Sequence, residues 1–153
     1  MDDDFDKSGP IQTGEAFILG ILGTRSQIEK DALYSNILQP IVDCIGKNPE
    51  QIILPSESIS SAYISLWADD MNIPTQSLQA DWFRMGRRAK FLRDNSIQQQ
   101  ATHYLIFEAP KSPFYEQMGV RLAKKHPGRV FTVSGSNAPE VSQLEISQLE
   151  ITD

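Results

Sequence analysis

Four short apolar runs constrain this chain more than any other feature: AFILGIL at residues 16–22, QIIL at 51–54, HYLIF at 103–107 and RVFTV at 129–133. Each has the length of a strand, and the first two end at Gly23 and Pro55. Runs this apolar mark strands covered on both faces. The stretches between them carry helical spacing. Residues 26–44 place Ile28, Leu33, Ile37, Leu38 and Ile41 on one stripe, continued by Ile45. Ser26 and Glu29 have the spacing of a capping box, and Pro40 is expected to kink or divide this helix. Residues 58–71 read as a helix with Ile59, Tyr63, Leu66 and Trp67 inward, and residues 73–78 as a weaker strand that tolerates Pro74 near its start. Residues 86–99 and 114–125 read as two more helices. Strands alternating with long helices imply right-handed crossovers and a parallel sheet covered on both faces. The expected fold is therefore α/β: a single Rossmann-like domain with five mainly parallel strands in the order 3-2-1-4-5.

Charge divides the chain into a body and two ends. The formal net charge is −6, but residues 1–9 contribute −3 and residues 140–153 contribute −4, leaving about +1 for the rest. The expected organisation is an acidic, flexible segment at 1–14, the domain at 15–135 and an acidic tail at 136–153. The tail, VSQLEISQLEITD, repeats SQLEI with a spacing that fits neither helix nor strand, and reads as disordered or as an extra edge strand. No apolar run approaches the ~18 residues that span a bilayer. The acidic start MDDDFDKSG is unlike a signal peptide, and the single cysteine, Cys44, leaves no intrachain disulfide. A cytoplasmic protein without membrane association is expected.

Positive charge is concentrated in DWFRMGRRAKFLRDNS, residues 81–96, which holds Arg84, Arg87, Arg88, Lys90 and Arg93. In a doubly wound sheet, ligands bind beyond the carboxyl ends of the strands, where the strand order reverses. The loops expected there are Gly23-Thr24-Arg25-Ser26, residues 55–58 and residues 108–113. The first offers a glycine, a guanidinium and hydroxyls at a helix start, a combination suited to an anion. The basic segment supplies one wall of the same cleft, with Arg84, Arg88 and Arg87 on a shared side and Lys90 directed elsewhere. His103 and His126 have no metal-ligand spacing with Cys44 or with each other, so no metal is expected. No other cofactor is expected, and no Walker loop or nucleophile elbow occurs. Cys44 reads as a packed small hydrophobe, Trp67 as core, and Trp82 as either a packed ring or a surface on which a base could stack.

AFILGILGTRS resembles the opening strand and turn of the SLOG superfamily, the Rossmann-like group that includes the LOG phosphoribohydrolases and the DprA-type DNA-processing proteins. The resemblance is closer to its small YspA/YpsA-related branch. Ile73-Pro74, Ala80-Asp81-Trp82, Gly86, Ala89, Arg93-Asp94 and Ile97 follow in the order of that branch, and the similarity spans residues 16–133. It implies a nucleotide-like ligand held by Gly23, Thr24, Arg25 and Arg93, to which the turn and the basic segment add Ser26 and Arg87 as candidates. Guanidinium forks match phosphate oxygens bidentately, which agrees with that implication. One departure stands out. Where the superfamily carries a glycine-rich phosphate loop after the second strand, this chain has Pro55-Ser56-Glu57-Ser58-Ile59-Ser60, and Glu57 brings a negative charge to the place of the phosphate. The Pro-Gly-Gly-x-Gly-Thr-x-x-Glu motif of the LOG enzymes is also absent.

Three functions follow, in descending order: a module that binds or senses a nucleotide-derived small molecule, a degenerate scaffold that docks proteins, and a nucleoside N-glycosidic hydrolase or transferase. The last would need an acidic group near the ribose, and Glu57 and Glu108 are the candidates. A homodimer and single-stranded nucleic acid are further partner expectations, the nucleic acid ranking below the small molecule.

Overall fold

The computed structural model describes residues 15–23, 28–108, 113–133 and 141–143. Six strands form one sheet: β1 (Ile18–Leu22), β2 (Gln51–Pro55), β3 (Thr75–Leu78), β4 (His103–Phe107), β5 (Val130–Val133) and β6 (Val141–Gln143). Their order is β3-β2-β1-β4-β5-β6, parallel throughout except for β6, which runs antiparallel to β5. The expectation of five strands is thus corrected to six. The sixth comes from the segment read as a tail, where Val141 packs against the core and Gln143 Nε2 donates to the Gly128 carbonyl at 2.7 Å.

Period-two alternation sorts the strand residues into two cores. Leu19, Ile21, Ile52, Leu54, Leu105, Phe107, Phe131 and Val133 face one side. They are covered there by α1 (Lys30–Leu33), α2 (Gln39–Ile45) and α3 (Ile59–Asp70). Leu22, Ile53, Tyr104, Ile106 and Val130 face the other side, under α5 (Ala89–Gln100) and α6 (Phe114–Lys125). A further short helix, α4 (Trp82–Met85), and a 3-10 turn (Gly86–Arg88) lead into α5. The polar edge strand β3, TQSL, is the exception to the apolar pattern, as suits a strand with only one neighbour. No helix among the described residues is long and apolar enough to cross a membrane.

Local chemistry adjusted two of the expected helices. The first begins at Lys30, later than expected, with Glu29 at its N-cap making no side-chain cap, and Ser26 lies outside the described residues. Pro40 does not break it: α1 and α2 join through a π-helical segment, Tyr34–Leu38, with Pro40 in the first turn of α2. The wider turn accommodates a residue that lacks an N–H and crowds the preceding carbonyls. In α3 the buried face is Ser60, Ser61, Ile64, Trp67 and Ala68, while Ile59 and Leu66 are exposed. Of the inward stripe expected there, Trp67 is buried and Tyr63 packs against the core, whereas Ile59 and Leu66 give way to Ser60, Ser61 and Ile64 on the buried face.

The crossover helix α5 lies directly on β1. A Cβ built on Gly20 would stand 2.7 Å from Ala101 Cβ and 2.9 Å from Ile97 Cγ2. Gly20→Ala therefore forces the helix off the sheet, and urea denaturation is expected to show a loss of about 1–3 kcal/mol.

Candidate functional site

The strand order reverses between β1 and β4, and the segments leaving the carboxyl ends of the strands define the cleft. Thr24, Arg25 and Ser26 lie outside the described residues. Gly23, which precedes them, has φ +73°. A Cβ on it would collide with the Phe107 carbonyl and come within 3.1 Å of the Tyr115 ring. The glycine is thus required by the close approach of β4 and α6, before any ligand is considered.

The wall of the cleft is built on Arg93. This residue and Asp94 sit in the middle of α5, their side chains only 3% and 1% exposed. Arg93 Nη1 and Nη2 donate to Glu57 Oε1 and Oε2 at 2.7 and 3.1 Å, and Nε donates to Asp94 Oδ1 at 2.8 Å. The second Asp94 oxygen accepts from the Tyr115 hydroxyl at 2.7 Å. One network therefore ties the β2–α3 turn, α5 and α6 together. Burial of these charges is tolerable because each has an oppositely charged or hydrogen-bonding partner.

The network sets its own protonation. Burial would raise the Glu57 carboxyl, but the hydrogen bonds and charge of Arg93, helped by Lys90, hold it below the usual glutamate range. Burial would lower the Arg93 guanidinium, but Glu57 and Asp94 more than offset this and raise it. Burial, then the charge and hydrogen bond of Asp94, push the Tyr115 phenol far up, so its hydroxyl stays a donor.

Glu57 reaches Arg93 because of the turn that carries it. Ser58, the next residue, has φ 91° and ψ 153°, a conformation nearly confined to glycine, while its hydroxyl caps α3 by accepting from Ser61 N at 3.2 Å. Such a backbone costs about 1–3 kcal/mol and persists only where the surroundings enforce it. The cap on one side and the Glu57–Arg93 pair on the other supply that enforcement.

Outside this wall, the basic segment frames two cavities. One, of about 290 Å³, is lined by Ser56, Glu57, Gln79, Ala80, Trp82 and Lys90. The other, of about 280 Å³, is lined by Arg87, Lys90, Phe91, Asp94, Phe114 and Tyr115. Lys90 borders both, with Nζ 5.1 Å from the centre of the Tyr115 ring. This corrects the expectation that Lys90 points away. The 3-10 turn at Gly86–Arg88 precedes the α-helix and resets its phase, so a continuous helical wheel misplaces the residue. Arg84 is engaged by Asp81, whose Oδ1 also accepts from Arg84 N at 3.2 Å. Among the described residues, Arg87, Arg88 and Lys90 meet no carboxylate within ion-pair distance.

A larger cavity, of about 550 Å³, opens at the opposite, amino ends of the strands. Its polar groups are largely engaged with one another. Lys47 donates to the Glu15 carbonyl and pairs with Glu50, Arg129 pairs with Glu15 at 2.7 Å, and Gln143 bonds Gly128. His103 Nδ1 meets Thr102 Oγ1 at 2.8 Å, and burial followed by the charge of Arg129 lowers its pKa to about 4. Cys44 borders this cavity and is exposed, which corrects its reading as a packed hydrophobe. Among the described residues, no cluster of three His, Cys, Asp or Glu is arranged to hold a metal.

Of the residues singled out from sequence, the structure thus brings Glu57, Arg87 and Arg93 to one cleft. Arg93 forms its interior and Arg87 its rim. Glu108 is half-buried at the end of β4, its backbone N–H bonded to the Val133 carbonyl at 2.9 Å. Tyr115 and Asp94 were not assigned roles from sequence; a tyrosine in the first turn of a helix carries no distinctive pattern. No family model, curated protein or solved structure matches the chain.

Arg93→Met leaves Asp94 buried beside a neutral side chain and is expected to cost about 3–5 kcal/mol in denaturant titration. Glu57→Gln tests the outer half of the pair through pH. A lowered carboxyl pKa contributes stability above the ordinary glutamate value, and that contribution fades as pH falls through the folded value. The wild type should therefore exceed Glu57→Gln in stability at neutral pH, and the two curves should converge on acidification. Parallel curves down to pH ~3 would show that the pair contributes nothing.

Proposed function

We propose that the cleft binds a nucleotide-derived small molecule, in a Rossmann-like domain of the kind that the SLOG resemblance implies. The observation that carries this reading is Lys90, which meets no carboxylate within ion-pair distance among the described residues and stands between two aromatic-walled cavities at the carboxyl ends of the strands. Arg87 adds a guanidinium fork on the rim. The phosphate is received by Lys90 and Arg87 rather than by Arg93, whose donors already serve Glu57 and Asp94. Thr24, Arg25 and Ser26, outside the described residues, remain part of the proposed anion site through the sequence reading and the resemblance.

Binding or sensing fits this chemistry better than hydrolysis. Both Glu57 oxygens accept from Arg93 and its carboxyl is held below the usual range, so it has no proton to give as a general acid at neutral pH, and service as base or nucleophile would require it to leave that pair. The second reading, a scaffold that docks proteins, draws on the exposed apolar side chains of Trp82, Phe83, Met85 and Phe91.

Thermal shift against mononucleotides, nucleosides and ADP-ribose-like compounds separates the two. A ligand at about 100 times its Kd stabilises the folded protein by about 2.7 kcal/mol. A rise in Tm with a phosphorylated compound, lost in Lys90→Ala and absent with the matching nucleoside, is expected. A well-folded protein that shifts with none of them would turn the assignment to the protein-docking scaffold.

A further inference from the structure

The two cavities are close in size and share Lys90, and each has its own aromatic surface: Trp82 in one, Phe91, Phe114 and Tyr115 in the other. A single nucleotide fills only one of them. Beyond the cavities, the same segment continues outward as Phe83, Arg84, Met85, Gly86, Arg87 and Arg88, all of them exposed. Phe83 is 99% exposed, Phe91 57% and Trp82 55%, on a short stretch whose core-facing residue is Ala89. Contiguous apolar rings left in water, here beside several cations, mark an interaction site.

We propose that the physiological ligand is a segment of single-stranded nucleic acid. The inference rests on the reading of the cleft as a nucleotide site and extends it to consecutive nucleotides. Two adjacent bases enter the two cavities, stacking on Trp82 and Phe91, and the phosphodiester between them crosses Lys90. The strand then leaves over Arg87 and Arg88, with Phe83 as a further stacking surface.

Each element has a physical reason. Every base offers a π-face, so aromatic platforms bind strands with little regard to sequence, and Arg or Lys between them tracks the phosphates. Duplex nucleic acid keeps its bases paired and inward, and could not fill the cavities. A membrane surface would meet the protruding rings but has no chemistry for two recessed cavities joined by a lysine. Charge is consistent with the choice: the segment offers Arg84, Arg87, Arg88 and Lys90, Asp81 engages Arg84, and the two acids that line the cavities, Glu57 and Asp94, are both paired with Arg93.

Fluorescence anisotropy of labelled di-, tetra- and octathymidylate, competed by thymidine monophosphate, tests this on the full chain. Flotation with phosphatidylserine vesicles runs in parallel. Affinity is expected to rise by about tenfold or more from mononucleotide to dinucleotide, and again to the tetranucleotide. It should fall with added salt with a slope of about −0.7 for each phosphate contacted. Phe83→Ala, fully exposed and so without consequence for folding, should weaken the tetranucleotide by roughly fivefold or more, and Phe91→Ala likewise. Equal affinity for mononucleotide and octanucleotide would overturn the strand while leaving the nucleotide site standing. Equal affinity for dinucleotide and octanucleotide would restrict the ligand to a free dinucleotide and overturn it too, as would vesicle binding without oligonucleotide binding. Failure of mononucleotide and oligonucleotides together would overturn the nucleotide site itself.

Discussion

Arg93 is held by two carboxylates and in turn holds the cleft together. Its guanidinium sits almost wholly out of water, with Glu57 across the fork and Asp94 on Nε, and Tyr115 closes the chain of bonds through Asp94. Removing any one member strands a charge or a donor in a low-dielectric interior, where such groups are most costly. This network ties the β2–α3 turn, the crossover helix and the helix after β4 to one another. The strained Ser58 backbone depends on the same bonds.

This arrangement changes what the neighbouring groups can do. In the superfamily that the sequence resembles, the turn after the second strand offers backbone N–H groups to a phosphate. Here the turn presents Glu57, and Arg93 receives that carboxylate in a bidentate pair of the kind it could make with phosphate. Under the proposed reading, the anion falls to side chains nearer solvent, Lys90 and Arg87, which meet no carboxylate within ion-pair distance among the described residues. A site so built would bind by charge and stacking rather than by a backbone cradle. Its affinity would then be sensitive to salt and tolerant of the base.

Sequence reading reached the sheet because buried parallel strands have a direct signature. HYLIF is β4 without adjustment, and Phe114–Lys125 is α6. It stopped where several weak signals compete. The tail could be read as disordered or as an edge strand, and Val141–Gln143, short and polar, takes the second course because β5 leaves an edge to pair with. In α3 the expected face held at Trp67 and Tyr63 and missed at Ile59 and Leu66, because Ser60 and Ser61, polar by type, occupy buried positions. Within the cleft, the clustering of cations was plain, but their division was not. Arg93 inside and Lys90 at the rim is decided by a 3-10 turn of three residues and by a glutamate 36 positions away. Spacing within the segment carries neither fact.

The central claim is that Arg93 is occupied by the protein's own carboxylates while Lys90 receives the ligand. Side-chain NMR during a nucleotide titration measures both at once. The account predicts an Arg93 Nε–H resonance that is slow to exchange with water and stays in place while the Lys90 signals move. An Arg93 resonance that shifts on binding as Glu57 is released, with Lys90 unmoved, would contradict it.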